Sequence, residues 1–250
     1  MEVRIIQQNM NSRNENTPEY VAEIMKQLHE LKPTILLLSE FCYKDHQETI
    51  VKKLEDNGYK IFYPNMYDKV EHKKFYTVCI LAIKADNKEN KEEIIFIQDR
   101  NGREELAEND FRYITGTLKI KGQEKEMDIK MYFTHVPFSK NISRMAYKAE
   151  MLFAAYCFFI ENSDEYTFLG GDFNSDINGD TSLLPIFKKL YNAASDTDKD
   201  KDKPTWENKR LDYALVSKTL KSCNSCNCET KHLKTKSDHR ALITTFKLDI

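Results

Sequence analysis

Tyr166-Thr167-Phe168-Leu169-Gly170-Gly171-Asp172-Phe173-Asn174 is the stretch whose reading decides the fold. Tyr166-Thr167-Phe168 is a short apolar run that reads as a buried strand. Two glycines then let the chain turn sharply, and an acid and an amide follow at alternate positions. In an extended segment, residues at i and i+2 point to the same face. Asp172 and Asn174 therefore lean into one site at the end of a strand. A carboxylate can hold a divalent cation or a nucleophilic water, and an amide can donate to a phosphate oxygen. Taken alone, Gly-Gly-Asp-Phe-Asn is also an ordinary turn, since these residue types favour turns for their own reasons. The surrounding chain separates the two readings.

Toward the N-terminus, a helix is expected over residues 143–161, with Met145, Ala149, Leu152, Tyr156 and Phe159 as its buried stripe. Before it, Phe133-Thr134-His135-Val136-Pro137 reads as a strand ending on a histidine. Further strands are expected over 127–134, 113–120, 94–98, 77–84 and 59–63. A helix over 45–57 is closed by Gly58, and Lys69 to Lys74 reads as a polar loop. Ile35-Leu36-Leu37-Leu38 is a continuous aliphatic run typical of a strand buried on both faces, and it stops at Ser39-Glu40. Thr17-Pro18 opens a helix whose stripe is Val21, Ile24, Met25, Leu28 and Leu31. Val3 to Gln8 is a first strand, ending at Asn9.

Toward the C-terminus, a shorter helix carries Leu183, Leu184, Phe187 and Leu190. Asp196 to Lys203 alternates Asp with Lys or Thr and reads as a surface loop. Arg210-Leu211-Asp212-Tyr213 leads into a strand over 214–216, and Lys236-Ser237-Asp238-His239-Arg240 precedes a last strand over 241–248. Strands outnumber helices, helices are interspersed among them, and neither a repeat nor a linker divides the chain. The expectation is one domain over residues 1–250, with two sheets packed face to face and helices outside.

Composition narrows the function. The net charge of -2 excludes a global polycation but not a local basic groove. Hydrophobic residues make up 40% of the chain, with 14 Phe and 13 Tyr, enough for a sizeable aromatic-rich core. No apolar run is long enough to make a membrane-spanning helix. The N-terminal residues lack a signal peptide's apolar core, so a cytoplasmic location is expected, with the six cysteines as reduced thiols.

Six strand ends carry polar residues that a core would not choose: Asn9, Glu40, His135, Asp172 with Asn174, Asp212, and Asp238 with His239. So many, spread over the whole chain, suggest convergence on one pocket. The pattern resembles the endonuclease/exonuclease/phosphatase superfamily, the DNase I-like fold. Its most specific parts are Gly171-Asp172-Phe173-Asn174, Arg210-Leu211-Asp212-Tyr213 and Ser237-Asp238-His239, in that order. The resemblance implies an α/β four-layer αββα sandwich of two mixed sheets flanked by helices, and hydrolysis of phosphoesters with Mg²⁺ or Mn²⁺. It implies Glu40 as principal metal ligand, with Asn9 and Asp238 supporting it directly or through water. It implies Asp172 as the group that orients and deprotonates the attacking water, with Asn174 helping to place it. His239 would hold the phosphoryl group, oriented by Asp212, and His135 would lie near the leaving group or phosphate. Three departures are visible, the first being Asn11, near which family members often have Asp or Gly. Phe138 stands where the family often has a polar residue, and Phe41-Cys42 after Glu40 differs from the abasic-site endonuclease branch.

Nucleic acid is the expected substrate, which makes the chain a nuclease. An inositol, lipid or nucleotide phosphate is the alternative, and a catalytically inactive binding module a further one. A monomer is the default. Trp206 reads equally as a base-stacking residue or as packing beneath the Asp212 strand. Cys223, Cys226 and Cys228 with His232 form at most half of a zinc pattern, against a plain strand with Cys226 and Cys228 on one face. Asp196, Asp198, Asp200 and Glu207 have EF-hand-like spacing without its glycine, so a solvated loop is expected. Lys231, Lys234 and Lys236 would make a basic rim beside Asp238, or simply a lysine-rich surface.

Overall fold

The computed structural model describes residues 1–11, 17–42, 50–64, 77–84, 93–99, 112–138, 142–177 and 185–249. Among these residues twelve strands form two mixed sheets, six strands in each. The first sheet runs β11 (Cys226–Leu233), β12 (Ala241–Leu248), β1 (Glu2–Asn9), β2 (Ile35–Cys42), β4 (Thr77–Lys84), β3 (Tyr59–Phe62). The second runs β5 (Glu93–Gln98), β6 (Tyr113–Lys121), β7 (Glu126–His135), β8 (Thr167–Asp172), β10 (Asp212–Val216), β9 (Ser195–Asp196). Each sheet contains one parallel pair, β1 with β2 and β7 with β8, and each pair is joined by a crossover helix. These helices are α1 (Pro18–Glu30) and α3 (Ile142–Glu161). The remaining described helices are α2 (Lys52–Asp56), α4 (Pro185–Ala193) and the short α5 (Lys218–Lys221).

Strand alternation sorts the apolar side chains into three cores. Val3, Ile5, Ile35, Leu37, Met131, Phe133, Phe168, Ala214 and Val216 face inward and fill the space between the sheets. Ile6, Leu36 and Leu38 face outward and pack under Val21, Ile24 and Leu28 of α1 and Leu54 of α2. Tyr132, Leu169, Tyr213 and Leu215 face outward from the second sheet, under α3 and α4. The result is the expected four-layer αββα sandwich.

Several expectations need adjustment. Thr17 caps α1 by accepting the Tyr20 N–H at 3.2 Å. The helix expected over 45–57 is regular only from Lys52 to Asp56, and residues 45–49 lie outside the described part, as do Lys69–Lys74, Leu183 and Leu184. On α3 the fully buried line is Lys148, Met151, Leu152, Ala155 and Phe159, not the line through Ala149 and Tyr156. The two lines share Leu152 and Phe159 and differ by a small rotation. Lys148 interrupts the apolar pattern of the buried line, so the neighbouring line looks the more apolar in the sequence. Among the described residues, no helix is long and apolar enough to cross a membrane.

Candidate active site

The alternation that builds the inner core also delivers the site. On β7, β8 and β10, Phe133, Phe168 and Ala214 point inward. Continuing along the same faces, each strand reaches a polar residue at one common end. The register sets His135 beside Asp172 and Asp172 beside Asp212, so the three form a row across neighbouring strands. Opposite, β1 runs Ile5, Gln7, Asn9 on its inward face, and Asn9 pairs with Ser39 of β2. The site thus lies at the C-terminal ends of both parallel pairs, where strand termini and their loops leave a crevice.

The two glycines before Asp172 have separate causes. Gly171 has φ +136°, and a Cβ there would lie 1.9 Å from the Thr134 carbonyl oxygen of the neighbouring strand. Gly170 faces inward, where a Cβ would meet Gln7 Oε1 at 2.6 Å. Gly171 lets the edge of the site pass close to β7, and Gly170 lets the opposite sheet approach.

Asp172 is buried and receives two hydrogen bonds, from Asn9 Nδ2 at 3.1 Å and from the Asn174 N–H at 2.8 Å. Burial, with the Asp212 carboxylate next to it, pushes its pKa up to about 7, against the opposing pull of His239 and the Asn174 N–H. Its proton is thus poised near neutrality, as a general base requires. Asn174 is held in the left-handed region, φ +46°, and its Nδ2 donates to the Val136 carbonyl at 2.8 Å.

His239 and Asp212 form a buried pair, Nδ1 to Oδ2 at 2.9 Å. Burial opposes the charged imidazole, but Asp212, with help from Asp172 and Asp238, outweighs it and raises the His239 pKa to about 10. His239 is therefore a cation at neutral pH. Asp212 is itself fixed through its backbone, because Thr205 Oγ1 accepts the Leu211 and Asp212 N–H groups at 2.9 and 3.1 Å.

Glu40 sits at an irregularity in β2, where the pairing with β4 shifts register between Leu38 and Phe41. Its φ is +49°, an uncommon conformation for a residue with a side chain. A bulge of this kind re-aims one side chain, and such features gather at active sites. The Glu40 carboxylate comes to 3.3 Å from His135 Nε2, and Asp172 Oδ2 lies 3.8 Å from the same nitrogen. On the other side of the ring, Arg112 Nη1 is 3.1 Å from His135 Nδ1. A guanidinium only donates, so Nδ1 is the acceptor and Nε2 carries the proton toward Glu40 and Asp172.

Asp238 lies at the exposed rim, and Trp206 Nε1 donates to its Oδ2 at 3.0 Å. The Trp206 ring is tilted by 30° against His239 at 6.1 Å, and its backbone bridges to His239. Trp206 therefore packs at the edge of the site rather than beneath the Asp212 strand. Ser237 Oγ donates to the Asn9 carbonyl at 2.7 Å and Thr235 Oγ1 to Gln8 Oε1 at 2.8 Å, tying this segment to the end of β1.

All the expected site residues therefore come to one end of the sandwich, with Asp238 outermost. Arg112, Lys148 and Thr205 join the site without having been singled out in the sequence, while the place of Trp206 beside Asp238 and His239 agrees with one of its two sequence readings. Lys148 left a signal, since it stands four residues before Leu152 and eleven before Phe159. Arg112, just before a strand of the second sheet, left none.

Among the described residues, Asp172, Asp212 and His239 are the one group of three whose ligating atoms all lie within 4.8 Å of one another. The cysteine segment does not make such a group. Cys226 and Cys228 point into the inner core, where burial pushes both thiols up to about 12, while His232 Nε2 is 2.6 Å from Asp198 Oδ2. The acidic loop is less solvated than expected. Arg210 forks onto Asp196 at 2.6 and 3.0 Å and reaches Asp198 at 3.0 Å, and the Asp198 side chain is 0% exposed. Basic side chains neutralise these carboxylates where a cation would have sat.

No protein-family model matches the chain, and no curated protein sequence matches it. Solved structures do. The human Nocturnin catalytic domain with bound sulfate superposes with a TM-score of 0.66 at 18% identity, over 99% of this chain and 94% of that one. An AP endonuclease from Archaeoglobus fulgidus gives 0.65 at 18%, over 99% and 100%. D. rerio TDP2 complexed with a single-strand DNA product gives 0.64 at 15%, over 98% of each chain. All three belong to the DNase I-like endonuclease/exonuclease/phosphatase superfamily. The likeness establishes the fold: this chain is a DNase I-like αββα sandwich.

Proposed function

We propose that this protein is a divalent-metal-dependent phosphoester hydrolase, and that its substrate is nucleic acid. The observation that carries the reading is the row His135–Asp172–Asp212 facing Asn9 and Glu40 at the open end of a DNase I-like sandwich. The similarity to an AP endonuclease and to a TDP2 complexed with a DNA product favours a nuclease over a phosphatase.

The residues divide the work by their chemistry. Asp172, with its pKa near 7, accepts a proton from the attacking water as the new oxygen–phosphorus bond forms and the bond to the leaving oxygen breaks. His239, cationic and held by Asp212, binds the negative phosphoryl oxygens. His135 directs its Nε2–H into the same space and donates to a phosphoryl oxygen. Asn9 and the Asn174 N–H fix the Asp172 carboxylate in one orientation.

The donor set fits a hard cation. Glu40 and Asp172 each bring a carboxylate oxygen toward His135 Nε2, at 3.3 and 3.8 Å, with Glu40 still 16% exposed at the opening. Oxygen-only donors suit Mg²⁺ or Mn²⁺. Glu40 would hold the ion, with Asn9 and Asp238 supporting it through water. Once bound, such an ion neutralises phosphoryl charge and stabilises the leaving oxygen. The Asp172, Asp212 and His239 group suits a metal less well, because an imidazolium has no lone pair to offer. A cytoplasmic location goes with this reading, supported by free thiols at Cys79, Cys157, Cys223, Cys226 and Cys228 among the described residues.

The test is a substrate panel with Mg²⁺, Mn²⁺ or EDTA, run with wild type and Asp172→Ala. It holds plasmid DNA, single-stranded DNA, RNA, and soluble inositol and nucleotide phosphates. Metal-dependent, Asp172-dependent cutting of a polymer is expected. Phosphate release from small molecules alone moves the site to a phosphatase, and silence throughout would overturn the enzyme reading.

A further inference from the structure

Lys148 lies on the buried face of α3, in line with Met151, Leu152, Ala155 and Phe159, and is 1% exposed. Each other member of that line is apolar. A cation in such a place is unfavourable unless it is hydrogen-bonded and faces negative charge. Both conditions hold. Its Nζ donates to the Asn174 carbonyl, and the Asp172 charge acts favourably on it. Burial lowers its pKa, opposed by Asp172, to about 8, so the ammonium is mostly charged at neutral pH.

The carbonyl it holds belongs to a strained residue. Asn174 sits at φ +46°, and a side-chain-bearing residue keeps that conformation only where its surroundings over-determine it. Three contacts do so here. The Asn174 N–H donates to Asp172 Oδ1, its Nδ2 donates to the Val136 carbonyl, and its own carbonyl accepts from Lys148. Releasing the carbonyl would free ψ of Asn174, and the residue could then leave the left-handed region, with a change in φ that disturbs the bond from its N–H to Asp172. An apolar side chain of the same length would fill this position without the cost of burying a charge. The ammonium is therefore explained by what it holds.

We infer that Lys148 is a positioning residue, a buried cation that locks the left-handed turn at Asn174 and so aims the Asp172 carboxylate. The inference deepens the hydrolase reading and rests on it for its catalytic consequence. Lys148 is buried, away from solvent. It works through the backbone of the turn.

The test compares Lys148→Met, which keeps length without a donor, with Lys148→Gln, which keeps a neutral donor. Lys148→Met is expected to lower kcat roughly 10- to 100-fold with KM within about twofold, as expected when a group acts only through geometry. Lys148→Gln is expected to recover at least half of that loss on a logarithmic scale. Separately, the Asn174 amide should exchange with solvent deuterium at least about tenfold faster in Lys148→Met than in wild type. A Met variant with wild-type kcat and unchanged Asn174 exchange overturns the inference. If Lys148→Met does not fold, Lys148→Gln is read alone, and its wild-type exchange with a kcat lowered as far as any destabilised control overturns it equally. If wild type hydrolyses nothing, the hydrolase reading has failed, and the exchange result still decides what Lys148 holds.

Discussion

The Asn9 side-chain amide donates to Asp172 Oδ2 across 3.1 Å, and with that bond the last residue of β1 in one sheet meets the last residue of β8 in the other. One layer below, Gln7 lies against Gly170. The two sheets thus meet through polar groups at the site, and the apolar inner core lies deeper between them. This arrangement buries a carboxylate beside a second one, which is unfavourable for folding and useful for chemistry.

Asp172→Asn should stabilise the protein in a pH-dependent way. The folded pKa of about 7 lies above the ordinary 3.8, so the folded state binds that proton more tightly. The resulting stability is complete below the ordinary value and lost as pH rises through about 7. The amide escapes this loss. Urea denaturation in EDTA should show the variant gaining on wild type by on the order of 1–2 kcal/mol between about pH 5 and pH 8. A difference that does not change with pH would mean that Asp172 ionises as an ordinary carboxylate.

Asp212→Asn should move the alkaline limb of the pH–rate profile. His239 owes its pKa of about 10 to Asp212, and burial alone would drive it below its ordinary value. Activity that needs cationic His239 persists in wild type until pH passes about 10. In the variant it should fall away already near neutrality, with a loss on the order of 10²-fold at about pH 8. Superimposable profiles for the two proteins would break the proposed coupling.

Glu40→Gly should trade function for stability. The left-handed φ of +49° suits glycine better than glutamate, so the fold should gain about 1 kcal/mol. Metal-dependent turnover should drop by roughly 10²–10³-fold, as on removal of a charge-stabilising group. Thermal unfolding and metal titration of the rate check both halves, and a variant with undiminished metal-dependent turnover removes Glu40 from the site.

The paired glycines should respond unequally to alanine. Gly171→Ala sets a Cβ 1.9 Å from a backbone oxygen at a φ that alanine resists, and should cost about 3 kcal/mol or more. Gly170→Ala meets the tips of the Gln7 and Phe168 side chains, which can shift, and should cost about 1–2 kcal/mol. Chemical denaturation ranks the two, and the reverse order would contradict the close approach of β7 to Gly171.

Much of this protein follows from sequence because its determinants are local. Period-two alternation along β1, β7 and β10 fixes which residues face inward, and the same count that places Ile5 or Phe133 in the core places Asn9 or His135 at the site. Thr17-Pro18 marks a helix start by its own chemistry. The blocks around Asp172, Asp212 and His239 carry their identity in a few adjacent residues. Other features depend on what two distant segments do to each other, and local pattern is blind to that. Lys148 reads as a break in an apolar stripe until the Asn174 carbonyl is set over it. The tautomer of His135 depends on Arg112, twenty-three residues away. The acidic loop reads as solvated because its spacing is all carboxylate, yet Arg210 folds into it and buries Asp198. Sequence alone determined the strands, their inward faces and the residues at their ends. Tertiary structure alone decided the charges those residues carry, because a pKa is set by burial and by neighbours that only the packed sheets bring within reach.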